Sequence, residues 1–398
     1  MHNLLGILFS LLLIAISGHI IWRSTDGFET AADYLGRKMS RGVKGATINA
    51  VASSMPEFLT TMFFLFYIKN NDVFVDSFSG GLGVVAGSAV FNILVIPMAV
   101  ILFGGVLISG KFNLDRKVVA RDGLFLIFSN IFLIIIVAQD EIKTWHGAVL
   151  VLIYFIYMVL LRKGLGINSD FKEDPERYRI IKQRIGFRNI LFLDIPRLLL
   201  NGKKLNRANA WVVLILSTAV MSIGTWLLVE GTKLLGEGSG EGTVLANLIG
   251  LKDFDGLGIP IVFLSVLLAA AATSIPDTMI SVRDARKGNH DDSISNAIGS
   301  NIFDISFAIG FPLMLYTLFY GDFSLSPEVQ VYSFGILIAM WLINIFTVFL
   351  FMVSNISLRL KAGLLLLIYI LFIVYIFLEH KEATLSSFFK EWIQLLKL

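Results

Sequence analysis

Ala52-Ser53-Ser54-Met55-Pro56-Glu57 and Ala272-Thr273-Ser274-Ile275-Pro276-Asp277 are two copies of one pattern, each deep inside an apolar stretch. Each has its own second block downstream, GSAVFNI at 87–93 and GSNIFDI at 299–305. Proline supplies no N–H and clashes with the carbonyl four residues back, so each helix must open beside its acid. Backbone carbonyls freed at membrane depth are tolerated where they line a cavity or bind an ion. Pro56 therefore exposes the Ala52 carbonyl, and Pro276 that of Ala272. A bare carboxylate at this depth costs several kcal/mol and must be protonated, paired or bound to a cation. No Lys or Arg lies inside the motif spans near Glu57, so a cation or a proton is its natural partner.

The surroundings are those of a membrane protein. The chain is 56% hydrophobic and 16% charged, with a mean hydropathy of +0.77, whereas soluble domains carry about 25% charge. The apolar residues form runs near the 20 or so that a spanning helix needs. The runs predict an all-α polytopic membrane protein with ten transmembrane helices at about 4–22, 43–68, 79–109, 123–139, 146–161, 208–229, 257–282, 293–320, 328–352 and 362–378. The N-terminal run has no basic residue before it and no clear cleavage site after it, so it reads as the first span, not as a signal peptide.

Charge position fixes the expected orientation. The linkers 23–42, 110–121, 162–207, 283–292 and 359–361 hold most of the Lys and Arg, and the alternating linkers hold few. The positive-inside rule then places both termini outside the cytoplasm; the expected location is the plasma (cytoplasmic) membrane. The segment 162–207 is the midpoint, a cytoplasmic linker between two five-helix repeats at 1–161 and 208–378, with an amphipathic tail at 379–398. Within the linker, 190–200 reads as an interfacial segment. With five spans per half, the copies enter the membrane in opposite senses, the signature of inverted-topology repeats.

Hard cations take six to eight oxygens from carboxylates, carbonyls, hydroxyls and water. Glu57, Asp277 and Asp304 supply charge, and Asn92 stands where Asp304 does in the other copy. Ser53, Ser54, Thr273 and Ser274 supply hydroxyls. Ser88 and Ser300 precede Asn92 and Asp304 by one helical turn and share their faces. Carboxylates sharing a small volume repel one another when empty; a divalent ion, several monovalent ions or a proton relieves this, a physical basis for exchange. Gly87 and Gly299 allow close helix approach or serve packing alone. Asp26, Glu29 and Asp33 read as a solvated helix end, with an ion-approach surface as the alternative. The tail reads equally as a membrane-surface helix or a packed segment.

The absence of cysteine excludes disulfides and thiolate metal sites. The five histidines never cluster, no phosphate-binding loop appears, and the net charge of +3 sits where topology demands it. Nucleic acid is therefore not an expected partner, and no obligatory protein partner is evident. A prosthetic group is not expected; inorganic cations and membrane lipid are the expected partners.

The paired blocks, 51–61 with 87–93 and 271–281 with 299–305, resemble the alpha repeats of the sodium/calcium exchanger family, within the cation/calcium antiporter superfamily. ATSIPD, SVRDARKG, GSNIFDI and GSAVFNI are most similar to the branch that includes potassium-dependent exchangers. The resemblance implies a secondary antiporter, not an enzyme, exchanging Na+ for Ca2+ by alternating access, with spans 1 and 6 sliding against the rest. It implies that Glu57 and Asp277 coordinate the ions, that Asn92 and Asp304 line the centre, and that the six hydroxyl residues are peripheral ligands. Asp304 permits potassium to take part. Ala52 and Ala272 depart from the glycine common in the family before the hydroxyl pair, and no large calcium-sensing insert is present. Alternatives are a calcium/proton antiporter, for which hydroxyls are superfluous, a cation channel, which needs no mirrored halves, and an intramembrane aspartyl protease, which needs an acid dyad.

Overall fold

The computed structural model describes residues 2–37, 50–67, 74–109, 112, 114–164, 179–180, 182, 187, 189, 193–239, 245, 254–353, 355–382 and 386–397. The start of the second expected span at 43–49, the loop 69–73 and most of the central linker lie outside these residues. The chain begins with α1 (His2–Leu35), then a broken pair, α2 (Ala50–Ser53) and α3 (Met55–Tyr67), and then α4 (Phe74–Phe103) with the short α5 (Val106–Ser109). Next come α6 (Arg116–Val137), α7 (Thr144–Gly164), the short α8 (Ile195–Leu200) and α9 (Arg207–Glu237). A second broken run follows: α10 (Ile261–Leu264), a π-helical stretch Ser265–Ala269, α11 (Ala270–Thr273) and α12 (Ile275–Arg286). Then come α13 (His290–Phe303), another π stretch at Asp304–Ala308, α14 (Gly310–Tyr320), α15 (Pro327–Met352), α16 (Leu358–Glu382) and α17 (Ser386–Leu396).

The protein is thus an all-α polytopic membrane protein. Among the described residues eight helices are long and apolar enough to span a bilayer, nine when the run bent by 41° between Thr273 and Ile275 counts as one. Large apolar side chains such as Leu8, Phe128, Phe349 and Leu371 are exposed on the outside of the bundle, a surface suited to lipid and not to water.

Most expected spans appear with shifted ends. Polar caps set several of them. Asp115 accepts from the Lys117 N–H before α6, Asn206 and Asn209 form a reciprocal box at α9, and Ser326 with Pro327 opens α15, each satisfying donors the first turn leaves free. α1 runs well past the expected end at 22. Its charges remain helical because they pair: Arg23 with Asp26 at 2.6 Å, and Arg283 of α12 with Asp26 at 3.4 Å and Glu29 at 3.3 Å. Asp26 and Glu29 are therefore held against α12, not left as a solvated helix end. The segment expected at the membrane interface is seen from Leu193 onward; α8 buries Ile195, Pro196 and Leu200, and Leu200 packs with Ala31, Ala210 and Val213 of α1 and α9. The tail divides its apolar residues. Phe389 and Ile393 are buried, whereas Phe388, Trp392 and Leu395 are exposed.

Two packing units position the site. α1 and α9 lie antiparallel along each other, with Gly27 against Ser217, Gly224 against Ile20 and Gly231 against Leu13. This pair rests on the broken helices crosswise: α1 on α2, α11 and α12, and α9 on α3 and α10. On the other side α4 runs through the middle of the bundle. Gly83 and Gly87, one turn apart, let it ride on the Val262 and Val266 carbonyls, where a Cβ would collide, the small-residue packing expected between membrane helices. The described residues of the basic linkers gather at one end, where Arg286 donates to the Phe103 carbonyl and the Asp115 N–H to Asp291. Residues 139–142 and 323–330 meet at the opposite end.

Candidate ion-binding centre

The two Pro-acid helices break in the same way. The Ser54 N–H reaches the Ala50 carbonyl at 3.0 Å and the Phe58 N–H reaches the Ser54 carbonyl at 3.2 Å. In the second copy Ser274 to Ala270 and Thr278 to Ser274 measure the same 3.0 and 3.2 Å. Between these bonds the proline offers no donor, and the acid falls in the first turn of the new helix. That end of a helix favours negative charge, because its N–H groups are unsatisfied and its dipole is positive.

All ten residues singled out in the sequence are fully buried, and the structure joins eight of them around two serines, Ser88 and Ser300. The Ser88 hydroxyl stands 3.0 Å from Glu57 Oε1 and 3.5 Å from Asp304 Oδ2. It accepts from Asn92 Nδ2 at 3.2 Å and from the Ser274 hydroxyl at 2.9 Å. The Ser300 hydroxyl donates to Asp277 Oδ1 at 2.7 Å and meets the Ser53 hydroxyl at 3.3 Å. Thr273 donates to the Ala270 carbonyl at 3.1 Å, as Ser53 does to that of Ala50 at 3.3 Å, and it stands beside Glu57. Ser54 lies beside Asp304 without closing a hydrogen bond.

Five buried oxygens here have no partner: Glu57 Oε2, Asp277 Oδ2, Asp304 Oδ1, Asn92 Oδ1 and Ser54 Oγ. Buried acceptors are normally satisfied, and leaving them open costs about 1–3 kcal/mol each, more for charged groups. Among the described residues none of the three acids forms an ion pair, and no three acids or histidines converge on a metal by themselves. The carboxylates are spread over the two serine hubs. A hard cation here would need hydroxyl, amide and main-chain oxygens as well, the mixed set such ions accept.

The sequence reading overlooked the asparagines of α13. Asn296, Ser300 and Asp304 recur every four residues and share one face, a signal legible from spacing. Asn296 Nδ2 donates to Ser281 at 3.1 Å and the residue stands beside Asp277. Asn301 Nδ2 donates to the Ala89 carbonyl at 2.8 Å, and Ala89 is the position that matches Asn301 in the first copy. The GS helices therefore touch through equivalent residues. Asp304 also opens a π-helical stretch, in which the Ile309 N–H skips back to the Asp304 carbonyl at 3.1 Å; such widened turns occur often at functional sites.

The fold and centre together define a polytopic helical membrane protein with two alike helix breaks around buried, unpartnered oxygens. The chain belongs to the sodium/calcium exchanger protein family, whose sequence profile matches residues 9–163 and 209–378, and so to the cation/calcium exchanger superfamily. It is 25% identical to human sodium/potassium/calcium exchanger 5 over 385 residues, 79% of this chain and 70% of that protein. It is 35% identical to human sodium/potassium/calcium exchanger 3 over 134 residues, 34% of this chain and 19% of that much longer protein. The match thus spans about a fifth of that relative's length. Two solved structures share the fold. A sodium-calcium exchanger soaked with Na+ and Sr2+ gives a TM-score of 0.54 at 19% identity, covering 92% of this chain and 99% of that one. An H+/Ca2+ exchanger gives 0.55 at 16% identity, covering 97% and 91%.

Proposed function

We propose that the chain is a secondary antiporter that exchanges sodium for calcium across the plasma membrane by alternating access, with potassium able to take part through Asp304. The observation that carries this reading is the buried centre itself, in which five oxygens from both Pro-acid copies and both GS blocks are unpartnered and, among the described residues, none of the three acids forms an ion pair. Glu57 and Asp277 are the charged ligands, Asn92 and Asp304 complete the ring, and Ser53, Ser54, Ser88, Thr273, Ser274 and Ser300 are the neutral ligands. The ions bound are cargo. The names of the sodium/potassium/calcium exchangers that the chain resembles favour the same ions.

The architecture that fits this function has ten spans in two inverted repeats, 1–161 and 208–378, joined by the cytoplasmic linker 162–207 and followed by the tail 379–398. The broken pair α2 and α3 stands for the tenth span. The basic linkers at one end of the bundle favour that end as cytoplasmic, with both termini outside. The pair α1 and α9, packed crosswise on the broken helices, is the unit that moves. Because the centre is closed to solvent, the reading favours a carrier caught between its open states over an open channel.

A second reading, calcium/proton antiport, is favoured by one observation: the H+/Ca2+ exchanger fold matches as well as the sodium-calcium exchanger fold. Calcium uptake into proteoliposomes separates the two. Uptake driven by an outward sodium gradient at clamped pH supports sodium exchange. Uptake driven only by a pH gradient at clamped sodium overturns it in favour of protons.

A further inference from the structure

Outside the centre the chain carries another paired motif. Trp22-Arg23-Ser24-Thr25-Asp26-Gly27 in α1 matches Trp226-Leu227-Leu228-Val229-Glu230-Gly231 in α9, with Trp, acid and Gly at the same spacing. The glycines face the α1–α9 seam, where a Cβ on Gly27 would strike the Ser217 hydroxyl and one on Gly231 would press on Leu13. The acids turn to the broken helices, and there the copies differ. Asp26 is neutralised by Arg23 and Arg283. Glu230 is only 2% exposed. Its Oε2 accepts from the Leu245 N–H at 3.3 Å, and its Oε1 has no partner. Lys233, one turn on, is directed to Glu237 at 3.9 Å, and among the described residues no ion pair reaches Glu230.

Tyr67, the last residue of α3, stands beside Glu230. Its hydroxyl is buried and faces Glu230 and Trp226 without closing a hydrogen bond at full geometry, and its ring meets Trp226 edge-on at 6.3 Å. A carboxylate oxygen and a phenol oxygen thus lie side by side under cover, and among the described residues no basic group forms an ion pair with the carboxylate. The carboxylate is the kind of hard oxygen donor that Ca2+ accepts, and the phenol adds a neutral oxygen beside it. Glu57 and Tyr67 are ten residues apart on one helix, or about 15 Å at 1.5 Å per residue. The pair lies in the seam between α9 and α3, where a mobile α1–α9 unit would part from the rest, at the end of the bundle opposite Arg283.

We infer that this seam holds a second cation station, with Glu230 supplying the charge and Tyr67 a neutral oxygen. Its role as a loading point that a cation meets before Glu57 rests on the exchange reading; the binding itself does not. A fixed carboxylate at a mouth concentrates cations there and speeds their capture.

Terbium is a suitable probe, because Trp226 lies one turn from Glu230 and can sensitise its luminescence. In the purified Glu57→Gln protein, sensitised terbium emission should persist, and most of it should vanish when Glu230→Gln or Trp226→Phe is added. Tyr67→Phe in the same background should weaken terbium binding several-fold. No emission in Glu57→Gln, or emission unchanged by adding Glu230→Gln, overturns the station. Flux supplies the second readout: Glu230→Gln should raise the calcium KM several-fold on the side bearing Ser324 and leave the other side unchanged. An unchanged KM on both sides overturns the loading role. Terbium binding at Glu230 in a protein without sodium-driven flux would keep the station and reject the exchange reading.

Discussion

Glu57 and Asp277 lie at full burial with one oxygen each bonded to a serine hydroxyl and one open, so their charge has to be met by something the chain binds. Ser88 holds the first half of that arrangement, joining Glu57, Asn92, Ser274 and Asp304 through one hydroxyl. Ser88→Ala leaves these groups without their common partner at a cost of about 1–3 kcal/mol, so the calcium KM should rise about tenfold in a protein that still folds; an unchanged KM in flux assays would remove Ser88 from the centre. Asp304 differs from Asn92 by one amide. Asp304→Asn should abolish potassium stimulation of calcium flux and keep sodium-driven exchange, and stimulation that survives would place potassium elsewhere. These residues were legible in the sequence because lone polar groups in long apolar runs are costly and must be explained. Asp26 and Glu29 were misjudged for the opposite reason: near a membrane edge a charge can be solvated, and nothing in the spacing revealed Arg283, about 250 positions away.

The broken helices carry the argument at the next scale. A repeated proline made both breaks readable, and the structure shows the same pair of bridging hydrogen bonds across each. The π stretches at Ser265–Ala269 and Asp304–Ala308 were not readable, because a widened turn needs no proline or glycine to mark it. Helix ends moved for a similar reason, since capping and ion pairs extend a helix beyond its apolar run. Pro276→Ala restores an N–H able to reach the Ala272 carbonyl and removes the ring that forces the bend. Calcium flux should fall at least tenfold while thermal stability in detergent is kept or raised, as expected when a strained functional feature is relaxed. Full flux in this variant would mean that the proline break does not shape the ion path.

For the whole molecule, the run lengths announced an all-α membrane bundle, but not how α1 and α9 pack on the broken helices. Glycine contacts scattered along both helices close the α1–α9 seam itself. The absence of cysteine makes orientation testable in an otherwise unmodified chain. Lys287→Cys and Ser324→Cys, both at exposed positions, should label with a membrane-impermeant maleimide from the cytoplasmic and external sides respectively; the reverse pattern would invert the proposed topology. The central claim joins all three scales: ions cross by binding at the buried carboxylates. It is tested most directly by radiolabelled calcium uptake into sodium-loaded proteoliposomes, with Glu57→Gln beside the unsubstituted protein. Removing one charge from a desolvated site costs on the order of 3–5 kcal/mol, more than a roughly hundredfold loss of affinity. The account predicts sodium-dependent uptake that Glu57→Gln abolishes, and undiminished sodium-driven uptake in Glu57→Gln would contradict it.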